Sequence, residues 1–293
     1  MEKVKNKMYP DNGDGGAAPA DDFGGPLQSK FGTHLEGLIP LILILIIAFF
    51  LAVRFDVIDP STPILGTVVD VFQSGSHPTK MLIIGATSRE VVDILNDNRD
   101  IIDYDLKTTQ SLERNPREIL ANYEIVMLDQ SEEANKEVSK KLGEAIEKFV
   151  KSGGKFILVK DSGIRRPDTY DVIGWKNTFG DIVPVECDRV INDQPTCTNR
   201  FIVQGKLLRQ DEDHPIMEGI EIFPADPMRN ATFEVFDVGV DGKEIAFIES
   251  SSLDKKEFVG IVEKNLVIGK SIYFNYNPGK TRGIFESTLD YLR

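Results

Sequence analysis

Residues 124–159 read EIVMLDQSEEANKEVSKKLGEAIEKFVKSGGKFILV, and their changing period decides the fold class. Glu124–Asp129 holds a short unbroken apolar run, the pattern of a strand covered on both faces. Over Glu132–Lys151 the period lengthens. Val138, Leu142, Ile146, Phe149 and Val150 share one helical face, with Glu and Lys opposite. Gly153-Gly154 ends that helix as a glycine C-cap does, and Lys155–Val159 starts at once as another buried strand. Two buried strands joined by an amphipathic helix form a βαβ crossover, which predicts parallel pairing.

Working outward, Met81–Gly85 is a further apolar run. Ser88 then serves as an N-cap for Val91, Val92, Ile94 and Leu95 at helical spacing. Tyr104–Thr108 reads as a strand, and Ile119, Leu120 and Tyr123 lead into the run at 124. Beyond 160 the chain is richer in strand formers. Ile182–Glu186, Arg200–Gln204, Thr232–Val240, Glu244–Glu249, Phe258–Glu263 and Lys270–Asn275 read as strands, with a last helix from about Gly283 to Leu292. The predicted class is α/β: a flavodoxin-like three-layer parallel sheet with an antiparallel extension, preceded by one transmembrane helix.

That helix is expected at residues 37–55, around LIPLILILIIAFFLAV at 38–53. Sixteen apolar residues, extended by their neighbours, approach the ~20 that span a bilayer. Residues 1–36 lack periodicity and read as a disordered tail. Residues 56–79 carry Pro60, Pro63 and Gly75-Ser-His-Pro78 and read as a stalk, leaving 80–293 as the folded domain. Lys3, Lys5, Lys7 and Lys30 precede the apolar run and only Arg54 follows it before Lys80, so the N-terminus is expected inside.

Two features point the domain outward. Cys187 and Cys197 flank the polar loop DRVINDQPT and read as a disulfide. Two free thiols or half a metal site are the other readings. Asn230-Ala-Thr232 has the pattern of a glycosylation acceptor. The expected location is therefore the cell membrane, single-pass, with the C-terminal domain outside. The expected partners are membrane lipid through residues 38–53 and another membrane or surface protein.

Composition narrows the function. With 41% hydrophobic and 28% charged residues among 293, the chain can build an ordinary core. A net charge of −13 and the lack of basic runs interleaved with aromatics exclude a duplex nucleic-acid binder.

The βαβαβ order, FVKSGGKFILVKDSG at 149–163, DEDHPIMEGI at 211–220 and GKSIYFNYNPGKTRGIFESTLDYL at 269–292 together resemble the class I glutamine amidotransferase-like superfamily. The likeness spans about 80–293 and is nearest to the ThuA-like, membrane-associated and non-catalytic branches. In amidotransferases a nucleophilic Cys sits on the turn after a central strand. The matching turn here, Lys160-Asp-Ser-Gly163, has none.

The resemblance therefore implies a non-catalytic binding or scaffold module. Its ligand would lie at the carboxyl ends of the strands, near Gly85, Thr87, Asp129 and Asp161. Two alternatives stand beside it: a hydrolase with a non-standard site around Asp161, Ser162 and His214, or an accessory component of a membrane transport system. Ser162 would need an imidazole in reach to act as a nucleophile. His214 sits in Asp213-His-Pro, which reads as a structural turn. Asp211, Glu212, Asp213 and His214 read as a solvated loop rather than a metal site, Trp175 as a core or lid residue, and Pro278-Gly-Lys-Thr281 as a closing loop. No cofactor and no metal are expected.

Overall fold

A computed structural model describes residues 77–293, apart from 170–171, 188–189, 192–193 and 255–256. From Thr79 the chain forms β1 (Thr79–Ile84), α1 (Arg89–Asp97), β2 (Ile102–Lys107), two short helices α2 (Thr109–Leu112) and α3 (Pro116–Leu120), β3 (Ile125–Leu128), α4 (Lys140–Lys151) and β4 (Lys155–Val159). Next come α5 (Lys176–Phe179), β5 (Val185–Glu186), β6 (Val190–Ile191), β7 (Gln194–Pro195), β8 (Arg200–Arg209), β9 (Ile222–Phe223) and β10 (Ala231–Phe236). The chain finishes with β11 (Gly239–Val240), β12 (Lys243–Ser250), β13 (Glu257–Asn265), β14 (Lys270–Phe274) and α6 (Arg282–Leu292).

Ten of the strands form one open sheet in the order β10-β8-β12-β13-β14-β4-β3-β1-β2, with β9 paired to β8. Strands β2, β1, β3, β4 and β14 run parallel; the pairings from β14 through β13, β12 and β8 to β10 are antiparallel. Side-chain alternation fills two cores. Met81, Ile83, Met127 and Ile157 face α1 and α6, while Leu82, Ile84, Val126 and Leu158 face α4 and α5. Ser88 caps α1, its Oγ accepting from the Val91 N–H at 3.4 Å, and Ser139 caps α4 through the Leu142 N–H at 3.3 Å.

The expected flavodoxin-like parallel sheet with an antiparallel extension needs correction. What forms is a mixed sheet whose antiparallel part is as broad as its parallel part. The physical reason lies in β8, which runs from Arg200 to Arg209 where the sequence suggested an end at Gln204. Gly205 lets it continue, because a Cβ there would lie 2.0 Å from the Glu249 carbonyl oxygen on the neighbouring strand.

The expected transmembrane helix is not part of the described structure. Among the described residues no helix is long and apolar enough to cross a membrane, and residues 37–55 lie outside them. The tail at 1–36 and nearly all of the stalk at 56–79 lie outside them too. The helix expected from Glu132 begins only at Lys140. Residues 132–139 instead form a loop, pinned where the Glu132 N–H donates to the Ala86 oxygen at 3.0 Å and the Val138 N–H to the Arg165 oxygen at 3.0 Å.

One buried side chain joins the two parts of the sheet. Asn275, fully buried just past β14, accepts from the Phe236 N–H at 3.0 Å and the Tyr273 hydroxyl at 3.0 Å. Its amide donates to the oxygens of Phe236 at 2.8 Å and Val259 at 2.9 Å. Phe236 ends β10, at the far edge of the hydrogen-bonded strand order from β14. The antiparallel part therefore curls until its edge strand meets the tip of β14. Tyr276 seals the curl, its ring edge-on to both Phe233 at 5.3 Å and Phe274 at 5.8 Å.

Asn275→Ala leaves two main-chain oxygens, one N–H and a buried hydroxyl without partners, each worth about 1–3 kcal/mol. The variant should lose at least about 3 kcal/mol in urea unfolding. A loss below about 1 kcal/mol would show that the clasp is not needed.

Candidate functional site

The curl sets β10 against the turn that follows β4, and polar residues cluster at the carboxyl ends of β1, β3 and β4. Gly85 ends β1 with φ +103°, and a Cβ on it would lie 2.5 Å from the Asp129 oxygen. Its role is to let β1 and β3 end side by side. Asp129 ends β3 with no exposed surface. The Thr87 hydroxyl donates to its Oδ2 and the Ser131 N–H to its Oδ1 at 2.9 Å. Burial pushes this carboxyl up, against the pull of those hydrogen bonds and of the Lys160 charge.

After β4, Lys160 has φ +50°, which a non-glycine residue seldom adopts. The turn is held by the Lys160 N–H donating to the Phe274 oxygen at 2.7 Å. Its ammonium lies 3.4 Å from Glu234 Oε2 on β10, and Arg200 Nε lies 2.6 Å from Glu234 Oε1. Lys160 is thus an inward-pointing cation, and the curled edge strand supplies its counter-charge.

Asp161 faces Lys136, whose Nζ lies 3.9 Å from Asp161 Oδ1 and also donates to the Gln130 oxygen. Their side chains are 20% and 16% exposed, so both remain within reach of a solute. Burial pushes the Asp161 carboxyl up, opposed by Lys136, and pushes the Lys136 amine down, opposed by Asp161. Desolvation therefore narrows the gap in proton affinity between the two. They line a cleft of about 260 Å³ with Asn135, Ile164, Arg165 and Thr198. Thr198 follows directly on the disulfide between Cys187 and Cys197, where S–S is 2.14 Å.

Gln130 stiffens the floor. Its side-chain oxygen accepts from the Gly163 N–H at 2.8 Å, and its amide donates to Glu133 Oε2 at 3.0 Å and the Glu137 oxygen at 3.2 Å. It therefore ties the loop 130–138, which carries Lys136, to the turn that carries Asp161.

Thr87, Asp129 and Asp161 accordingly share one strand edge with Gly85, whereas Ser162 and His214 do not form a pair. Ser162 is fully buried; its Oγ accepts from the Gln130 N–H at 2.8 Å and its carbonyl from Trp175 Nε1 at 2.9 Å. Trp175 is a core residue, 1% exposed. His214 packs on the other face of the sheet, against Tyr291 of α6 at 4.9 Å. Its Nδ1 accepts from the Ile216 N–H at 3.2 Å, so Nε2 carries the proton toward Glu263 Oε2 at 3.3 Å. Burial pushes Glu263 up, but His214, Tyr291 and Lys270 together outweigh it and bring the carboxyl down to about 2. Asn230 is exposed, its amide donating to Ser251 Oγ at 3.1 Å. Among the described residues no group of three or more His, Cys, Asp or Glu is placed to hold a metal.

Lys136 and Glu234 were not singled out by the sequence. Lys136 sits in what reads as the second turn of a helix, and Glu234 in an ordinary strand alternation; both reach the site only through tertiary structure.

No protein-family model and no curated protein matches the chain. Among solved structures it is similar to a β-galactosidase from Bacillus circulans sp. alkalophilus, with a TM-score of 0.48 and 13% identity over 73% of this chain and 31% of that one. It is also similar to a polyextremophilic β-galactosidase from Halorubrum lacusprofundi, at TM-score 0.46 and 11% identity over 73% of this chain and 30% of that one. A third likeness is to Agd3, a carbohydrate deacetylase, at TM-score 0.44 and 11% identity over 74% of this chain and 33% of that one. The chain spans about a third of the length of each.

None of these is a glutamine amidotransferase. With no family model to tie residues 80–293 to that superfamily, the expected resemblance is corrected, and so is the non-catalytic scaffold inferred from it.

The raised carboxyls set a pH dependence. A folded chain that holds the Asp161 proton more tightly than the unfolded chain loses stability as pH rises above the ordinary value of 3.8. Asp161→Asn should therefore melt a few degrees higher than the parent at pH 7, and the gain should disappear near pH 3.5. A lower melting temperature for the variant at pH 7 would show that the Lys136 pair outweighs desolvation.

Proposed function

We propose that the chain is a hydrolase that works by general acid–base catalysis at Asp161. The observation that carries this is a single one. A largely buried carboxyl, raised by desolvation, faces a cation across an open cleft at the carboxyl edge of the parallel strands. With its proton affinity moved toward working pH, Asp161 can accept a proton from an attacking water and return it to the leaving oxygen. Lys136 faces the same cleft and is placed to balance the negative charge that develops as water adds.

Asp129 has a supporting part. Its oxygens are engaged by Thr87 and Ser131, and its charge acts on Lys160 and Lys136 rather than on a substrate. This version of the hydrolase keeps Asp161 but excludes Ser162 as nucleophile and His214 as base, since the first is sealed and the second lies on the opposite face. The disulfide supports work in an oxidising compartment, where such a bond persists.

The full chain should turn over at least one member of a panel of 4-nitrophenyl glycosides, 4-nitrophenyl esters and acetylated sugars. Asp161→Asn should lower that rate about 100-fold or more, the usual worth of a positioned acid–base group. Lys136→Met should lower it about 10-fold or more. No turnover across the panel, or a rate unchanged by Asp161→Asn, would overturn the assignment.

A further inference from the structure

A second cleft, of about 510 Å³, opens at the opposite edge of the parallel strands, beside the start of β3 and β4. Helices α3 and α4 form its walls, and Leu120 and Phe149 give it an apolar side. Arg117, Lys148 and Lys155 line it from three different elements, against one carboxylate, Glu124. In a chain with a net charge of −13, this cavity carries three cations to one anion.

Two of these cations are not holding the fold together. Among the described residues, neither Arg117 nor Lys148 has an ion-pair or side-chain hydrogen-bond partner. Lys155 is half-buried; its Nζ donates to the Arg293 oxygen at 2.9 Å and feels the Glu124 carboxylate. Burial draws its amine down, against the pull of Glu124 and with the push of Lys270.

We propose that this cleft binds a small phosphate ester. The phosphate would be held among Arg117, Lys148 and Lys155, with the apolar body of the ester against Leu120 and Phe149. A guanidinium and two ammoniums suit a tetrahedral anion with several acceptor oxygens. The flanking apolar surface selects an organic ester over the bare ion. The site is remote from Asp161 and does not depend on the hydrolase assignment.

Phenyl phosphate is the probe, titrated calorimetrically into the full chain beside inorganic phosphate and phenol. Phenyl phosphate should bind saturably, more tightly than either fragment, and more weakly as salt is raised. The double variant Arg117→Gln/Lys148→Gln should bind it at least tenfold more weakly while melting as the parent does, since both side chains are exposed and unpaired. Absence of saturable binding, equal affinity for inorganic phosphate, or affinity unchanged in the double variant would each overturn the proposal.

Discussion

The four hydrogen bonds of the buried Asn275 amide are the constraint on which the architecture turns. An open sheet of ten strands has no intrinsic reason to bring its edge strand back to its middle. Twist supplies the direction of bending, and Asn275 fixes its extent by pairing both main-chain groups of Phe236. A buried amide tolerates few arrangements, since any slip of β10 would leave several polar groups dry and unpaired. Through that clasp the antiparallel part of the sheet becomes a wall over the parallel part's carboxyl edge.

Site electrostatics follow from that wall. Glu234 is carried on β10 and meets Lys160 only because the strand has curled over. The same cover limits water around Asp129, Lys160 and Asp161, so charges there are settled by one another more than by solvent. Asp129 is locked in by its two donors, whereas Asp161 keeps an open side toward the cleft. Two carboxyls a few residues from neighbouring strand ends thereby take different parts: one organises the cations, the other is free to exchange protons.

Much of the parallel part was legible, because buried strands and amphipathic helices leave short-range periodic signals. Met81–Gly85, the run at 124 and Lys155–Val159 were visible as unbroken apolar runs, and Ser88 as a cap. The start of α4 was misplaced because Val138 fits the helical period, yet its burial comes from the loop folding back onto Arg165. That displaced boundary also concealed Lys136, which a helix would have pointed toward solvent. The breadth of the antiparallel part was hidden at Gly205, a residue that ordinarily marks the end of a strand and here permits close approach.

Site legibility divided in the same way. That Thr87, Asp129 and Asp161 lie together follows from the sheet, because strand ends of a parallel sheet converge whatever their side chains. Glu234 could not, since only the long-range Asn275 contact brings it there. Ser162 and His214 read in one dimension as loop residues, with a catalytic pair only as an alternative. Ser162, in the turn after β4, is sealed beside Gln130 and Trp175, whereas His214, ahead of the short turn at Pro215–Met217, packs on Tyr291 across the sheet; no spacing rule reveals that separation. The cysteines paired as their short separation suggested, and their bond braces the loop that ends at Thr198.

The most direct measurement is a carbon-13 NMR titration of the aspartate carboxyls, with Asp161 assigned through its Asn variant. The Asp161 carboxyl should titrate clearly above the ordinary aspartate value of 3.8. Titration at or below that value would contradict it, because Asp161 would then be a simple ion-pair partner of Lys136 and unable to exchange protons near neutral pH.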